Sequence, residues 1–228
     1  MKALLVDLYD TLVWTDWRVL AERMARRIEV DGAALMRAFE VTHAPRGLGR
    51  YSGIRGDLAA IVGAARGNYD PTRADQPAPP GGSDPFIAAL EIELLEYLRD
   101  AAHLYDDVRP VLRALRAAHT RVAIVSNCDH VTRPVLANLD LEREVDATVL
   151  SCEVHSLKPD AAIFEQALKR LGASAAEAMF VDDQARYLDG ARALGIGTAQ
   201  IARAPSHGEP SERGAHRLIA SLADLPGY

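Results

Sequence analysis

The chain has 228 residues, of which 49% are hydrophobic and 25% charged, and its net charge is −6 at neutral pH. That length suits one large domain, or a core carrying a smaller insert. The negative balance excludes a broad attraction to nucleic acid or to an anionic membrane, and no window reaches the roughly 18 apolar residues of a membrane span.

The first element is a short apolar run, Ala3 to Val6, which reads as a buried strand. From residue 14 the period becomes helical. Residues 17–30 place Trp17, Leu20, Ala21, Met24 and Ile28 on one face. Further helices are expected at 33–42 and 54–65, separated by a turn-rich loop at 45–50. Residues 67–85 are dense in Pro, Gly and Asp and read as a loop or linker. A helix over 86–103 follows.

Beyond residue 108 the pattern alternates. Helices are predicted at 108–118, 130–138, 160–171 and 185–194, and strands at 121–126, 146–150, 178–182 and 197–201. This alternation argues for a parallel sheet with helices on both faces. Residues 202–213 read as a surface loop, and a short helix is expected around 215–222. The domain division that follows is a core of 1–13 and 104–228, with a helical body of 14–103 inserted after the first strand.

Cys128 and Cys152 form neither a CxxC pair nor a zinc spacing. Two free thiols in a reducing compartment are expected. Asp7 and Asp10 interrupt the one apolar stretch that might begin a leader, so a cytoplasmic location is expected.

Four segments end or follow predicted strands. Asp7 closes the first strand. Ser126 and Asn127 close the strand Val122-Ala-Ile-Val. Lys158 stands in Ser156-Leu-Lys-Pro-Asp160, just before a helix, and Asp182 and Asp183 close Met179-Phe-Val. Open α/β sheets bind ligands at the carboxyl ends of their strands. A nucleophilic carboxylate, an anion-binding hydroxyl, a cation and metal-type carboxylates would therefore meet on one sheet edge.

In these four motifs, taken in this order, the chain resembles the haloacid dehalogenase-like (HAD) hydrolase superfamily. The resemblance implies a Rossmann-like α/β core with helices on both faces, and a helical C1-type cap inserted after the first strand. It implies Asp7 as the nucleophile that forms a covalent aspartyl intermediate. Ser126, Asn127 and Lys158 would then bind the substrate anion. Asp7, the Tyr9 carbonyl and Asp183 would hold Mg²⁺, with Asp182 in support. Thr11 is expected to orient the Asp7 loop by hydrogen bonding.

Two positions depart from the family's usual pattern. Tyr9 stands where phosphatases of the superfamily carry a second Asp that moves the leaving-group proton, and where its dehalogenases carry Tyr. Asp10, in place of a usual glycine, is either a substitute acid or a turn residue. Tyr187 stands where family members often have Asp or Asn. The reading that fits most of these residues is a Mg²⁺-dependent phosphatase acting on a small phosphorylated metabolite. Its alternatives are a 2-haloacid dehalogenase-like enzyme using Asp7 on carbon, and a degenerate domain kept for binding or regulation. Neither nucleic acid nor membrane is expected as a partner, and a monomer and a homodimer fit equally.

Overall fold

A computed structural model describes residues 1–73, 75–203 and 214–225. The chain opens with strand β1 (Ala3–Val6), followed by the two-residue strand β2 (Val13–Trp14). Four helices come next: α1 (Trp17–Ile28), α2 (Gly32–Gly47), α3 (Gly53–Ala65) and α4 (Pro85–Ala101). Strand β3 (His103–Leu104) returns the chain to the core. The core continues as α5 (Val108–Ala117), β4 (Arg121–Ser126), α6 (Thr132–Asn138), β5 (Ala147–Leu150), α7 (Ser151–Val154) and α8 (Ala161–Leu171). It ends with β6 (Ala178–Asp182), α9 (Ala185–Ala193), β7 (Gly197–Ile201) and β8 (Arg217–Ile219).

Six strands form one sheet in the order β5-β4-β1-β6-β7-β8, and every pairing in it is parallel. β1 lies between β4 and β6, with Val6 opposite both Ile124 and Val181. All four β1 residues are fully buried, as expected of a central strand covered on both faces. Alternate residues feed two cores. Leu4, Val6 and Ile124 face the cluster that includes the inserted helices, while Leu5, Val125 and Phe180 pack with Phe164 of α8 on the other face.

The insert leaves and re-enters the core through a small antiparallel ribbon, in which Val13 pairs with Leu104 and Trp14 with His103. The predicted helix over 86–103 therefore stops at Ala101. Asp16 starts α1 by accepting the Val19 N–H, and Asp31 does the same for α2 through Ala34, both N-caps.

Two expectations are corrected. The predicted loop at 45–50 is helical as far as Gly47, with Pro45 inside the last turn of α2. Proline cannot donate to the helix ladder, but buried Arg46 ties this turn down through Thr42 Oγ1 and the Phe39 carbonyl. The helix expected at 215–222 is instead strand β8, paired in register with β7, then a single turn over Leu222–Asp224. A three-residue edge strand has no periodicity of its own to reveal it. Part of the predicted 202–213 loop lies outside the described residues.

Candidate active site

The carboxyl ends of β1, β4 and β6 bring the sequence motifs together. Asp7 follows β1, and its backbone N–H donates to the Val181 carbonyl of β6 at 2.9 Å. Lys158 reaches in from the loop before α8. Its Nζ donates to Asp7 Oδ1 at 2.5 Å and to Asp182 Oδ2 at 2.7 Å. Asp7, Asp182 and Lys158 are all buried.

The loop carrying Lys158 is held from two sides. The Asn127 carboxamide accepts from Lys158 N at 2.7 Å and donates to the Lys158 carbonyl at 3.0 Å. Asn127, expected to bind substrate, lines the neighbouring cavity and also positions Lys158 through its carboxamide. On the other side Gly190 lets α9 approach closely, because a Cβ there would lie 2.4 Å from the Pro159 carbonyl oxygen. Two aromatic faces complete the surround of the ammonium. Lys158 Nζ lies 4.9 Å from the Tyr187 ring centre and 5.3 Å from that of Phe180. A cation is stabilised over such faces, which supplies a role for Tyr187 where the family often has an acid.

Two carboxylates, Asp7 and Asp182, share this ammonium, and Asp183 lies close to both. Burial lifts the Asp7 carboxyl above its usual range, and Asp183 adds to the lift while Lys158 opposes it. Burial also holds Asp182 well up, helped by Asp7 and Asp183. For Lys158, burial alone would pull the ammonium down, but Asp182 and Asp7 outweigh it and keep the group protonated. The site therefore carries excess negative charge around a fixed cation. Asp7, Asp182 and Asp183 each place an oxygen within 4.8 Å of the others. Hard oxygens in that arrangement fit Mg²⁺. Both Asp182 oxygens are engaged, Oδ2 by Lys158 and Oδ1 by the Gln184 N–H, whereas Lys158 engages Asp7 through Oδ1. Asp7 and Asp183 are thus the carboxylates that would hold the ion, with Tyr9 two residues beyond Asp7.

Tyr9 is built to stay protonated. Its hydroxyl meets Thr132 Oγ1 at 3.1 Å, and its ring makes an edge contact with Trp17 at 5.4 Å. Burial raises its pKa far above the ordinary phenol value. Asp10 takes a left-handed conformation at φ 57°, its N–H donating to the Val13 carbonyl. That is the geometry for which glycine is usual, and it places Asp10 in the turn that follows β1.

Thr11 hydrogen-bonds through its backbone rather than its side chain. Its buried hydroxyl has no hydrogen-bond partner among the described residues. Its backbone carbonyl is what anchors the loop, by accepting from Arg203 Nε at 3.0 Å and Nη2 at 2.6 Å. Arg203 also pairs with Asp107 at 2.8 Å. Sequence reading missed both, since neither lies in a motif. Ser126 Oγ is likewise buried and unpartnered. A buried orphan hydroxyl at this sheet edge suits a site that completes its hydrogen bonds with a ligand.

A cavity of about 1100 Å³ opens between the inserted helices and this sheet edge. Tyr9, Asn127, Cys128 and Thr132 line it from the core. Two ion pairs cross between insert and core beside it, Arg46 to Asp129 and Asp57 to His130. His43 and Arg46 line the cavity, as does Trp17, whereas Trp14 packs on His103. Both cysteines are free and buried.

The sequence profile of haloacid dehalogenase-like hydrolases matches residues 1–195. The chain belongs to that family. A curated relative is (S)-2-haloacid dehalogenase 1 of Pseudomonas sp. (strain CBS-3), 32% identical over 59% of this chain and 61% of its own length. Three more relatives of 27% to 34% identity are also (S)-2-haloacid dehalogenases. Phosphatase MT3486 of Mycobacterium tuberculosis is 30% identical over 46% of this chain and 49% of its own. The matched region spans about half the length of these curated relatives. Among solved structures, L-2-haloacid dehalogenase of Xanthobacter autotrophicus superposes with a TM-score of 0.65 at 20% identity, covering 99% of this chain and 97% of that one. At that identity the likeness speaks for the fold alone. The family and the fold together make the chain a HAD-type hydrolase with a helical cap. Among the described residues, no helix is long and apolar enough to cross a membrane.

Proposed function

We propose that this hydrolase acts at carbon, displacing the halide of a 2-haloacid through an ester formed on Asp7. The observation that carries the reading is Tyr9. A phosphate ester expels an alkoxide, which needs a proton, whereas a halide leaves without one. Tyr9 occupies the place of the acid, and its hydroxyl is buried against Thr132 with its proton held tightly. The dehalogenase relatives support the same choice over phosphoryl transfer.

The chemistry balances as follows. An Asp7 carboxylate oxygen forms a bond to C2 of the acid, and the carbon–halogen bond breaks with its electron pair leaving on the halide. Water then adds to the Asp7 ester carbonyl. The products are a 2-hydroxy acid, a proton and free Asp7. Lys158 supplies positive charge beside the nucleophile and keeps it oriented. Ser126 Oγ is the free hydrogen-bonding group for the bound acid.

One observation favours phosphoryl transfer as a second reading, namely the cluster of Asp7, Asp182 and Asp183. Mg²⁺ held there would neutralise charge on a phosphoryl oxygen. The deciding experiment measures bromide release from 2-bromopropionate in EDTA beside phosphate release from p-nitrophenyl phosphate in Mg²⁺. Bromide without added metal supports the proposal. Phosphate release alone, dependent on Mg²⁺, would replace it with the second reading.

A further inference from the structure

Neither reading of the reaction uses Cys128 or Cys152, yet the fold places the two together. Ser126 of β4 and Leu150 of β5 are the last paired residues of their strands, and each cysteine follows by two positions. Neighbouring strands run about 4.8 Å apart, within the roughly 4.4–6.8 Å between Cα atoms that a disulfide spans. Ser151 Oγ holds the two segments together beyond the strands. It accepts from the Cys128 N–H at 2.9 Å and donates to the Cys128 carbonyl at 3.1 Å. The two thiols share a hydrogen bond across this junction. Both are buried, and Cys128 also lines the cavity between insert and core.

The two sulfurs are not equivalent. The hydrogen bond from Cys128 pulls the Cys152 thiol below its usual range, against the effect of burial. The same bond, now helped by burial, pushes the Cys128 thiol well up. His130 adds positive charge near Cys152. Its ring is held by Asp57 of α3 at 2.7 Å, a bond that favours the imidazolium. Asp129 and Glu153 work against a thiolate, but Arg46 and Arg133 pair with them. A thiolate is the form that attacks a peroxide.

We infer that Cys152 and Cys128 are a redox pair, which a hydroperoxide closes into a disulfide that slows the enzyme. The Cys152 thiolate attacks the terminal oxygen of the hydroperoxide. The O–O bond breaks, leaving a sulfenic acid, and the departing alkoxide takes the proton that Cys152 gave up. The Cys128 sulfur then bonds to the Cys152 sulfur, the S–O bond breaks, and the oxygen leaves with the Cys128 proton as water. Two thiols are oxidised and one peroxide is reduced to an alcohol and water. Cys128 directly follows Asn127, whose carboxamide makes both bonds to the Lys158 backbone. A shift at Cys128 is therefore passed to the loop that carries Lys158. A small dithiol reverses the step.

The reduced protein is treated with hydrogen peroxide under native conditions and quenched with catalase. Thiols are counted with Ellman's reagent in urea, and intact mass is measured in parallel. The wild type should lose both thiols and two hydrogens while remaining a monomer on non-reducing gels. Cys128→Ser keeps a hydroxyl to donate to Cys152 but cannot resolve it, so it should accumulate a sulfenic acid that dimedone traps. Cys152→Ser should keep its one thiol. Two thiols surviving in the treated wild type, or equal dimedone labelling of the two variants, overturns the inference. These covalent readouts do not depend on which reaction Asp7 performs. Turnover of the wild type, followed as bromide or phosphate release, should fall on the order of tenfold through the shifted Lys158 loop and return with dithiothreitol. The rate of Cys152→Ser should not respond to peroxide. An unchanged rate in fully disulfide-bonded protein, or a loss that dithiothreitol does not reverse, overturns the link to the active site.

Discussion

Arg203 donates two hydrogen bonds to the backbone carbonyl of Thr11, across 192 residues of sequence. Thr11 ends the turn that begins at Asp7, so this arginine holds the Asp7 loop from behind. Its third interaction, with Asp107, fixes the guanidinium in turn. Lysine could keep the charge but not the forked geometry. Arg203→Lys should therefore lower kcat by on the order of tenfold to a hundredfold through misplacement of Asp7, with a smaller loss of stability. Arg203→Ala should also cost roughly 2–3 kcal/mol, because a charged hydrogen bond is lost. Steady-state kinetics and urea melts on both variants separate the two effects.

Lys158 neutralises Asp7 and Asp182 inside the core. Removing one partner of a buried ionic cluster leaves uncompensated charge. Lys158→Met should lose about 3–5 kcal/mol at neutral pH together with all measurable turnover. The two carboxyls already sit above their usual range, by burial and mutual repulsion. Without the ammonium they rise further and bind protons as the pH falls. The stability deficit should thus shrink between pH 7 and pH 5, as read by urea midpoints. A deficit that grows on acidification would contradict the charge argument.

Tyr9 tests the absence of proton transfer. Tyr9→Phe removes the bond to Thr132, at a cost of about 1 kcal/mol. Halide release should stay within a few-fold of wild type, because no proton passes through the hydroxyl. A drop of about a thousandfold in kcat would instead make Tyr9 a proton carrier.

Asp107 offers an acid-stability signature. Burial works against its charge, but hydrogen bonds from Arg203, Ser221 Oγ and the Leu222 N–H win, and its carboxyl is held below the usual range. A carboxyl with a depressed folded pKa stabilises the fold above its unfolded value, near 3.9. That contribution disappears as the pH falls through the folded pKa. Asp107→Asn should be less stable than wild type at pH 7. The gap should narrow below about pH 4, measured by denaturant melts at both pH values.

Asp183 distinguishes metal binding from metal dependence. Millimolar Mg²⁺ should raise the melting temperature of the wild type, since a cation between clustered carboxylates favours the folded state by linkage. The expected gain is about 2–4 °C per kcal/mol of binding linkage. Asp183→Asn should abolish that gain. EDTA should leave halide release unchanged if the proposed chemistry is right.

The sequence by itself determined the core. Each of the strands β1, β4, β5 and β6 carries a short apolar run, and each of the helices α5, α6, α8 and α9 an apolar stripe or a start signal. Both are local properties that survive without the rest of the chain. Asp7, Lys158, Asp182 and Asp183 were legible for the same reason. Each stands directly at a strand end or a loop-to-helix junction, and a parallel sheet gathers those ends on one edge. Only the tertiary structure decided what surrounds them. Arg203 and Asp107 belong to no motif and acquire their roles by meeting Thr11 across the fold. Tyr187 looks like a lost acid until the Lys158 ammonium is found above its ring. Asn127 acquires its bonds to the Lys158 backbone only once the loop before α8 folds against it. The edge strand β8 exists because β7 offers it a row of backbone partners. The ribbon of β2 and β3 forms because the two crossings of the insert lie side by side. Periodicity reports which face of one element is buried. Which partner a side chain finds there depends on segments a hundred or more residues away, and only the packed chain brings them into contact.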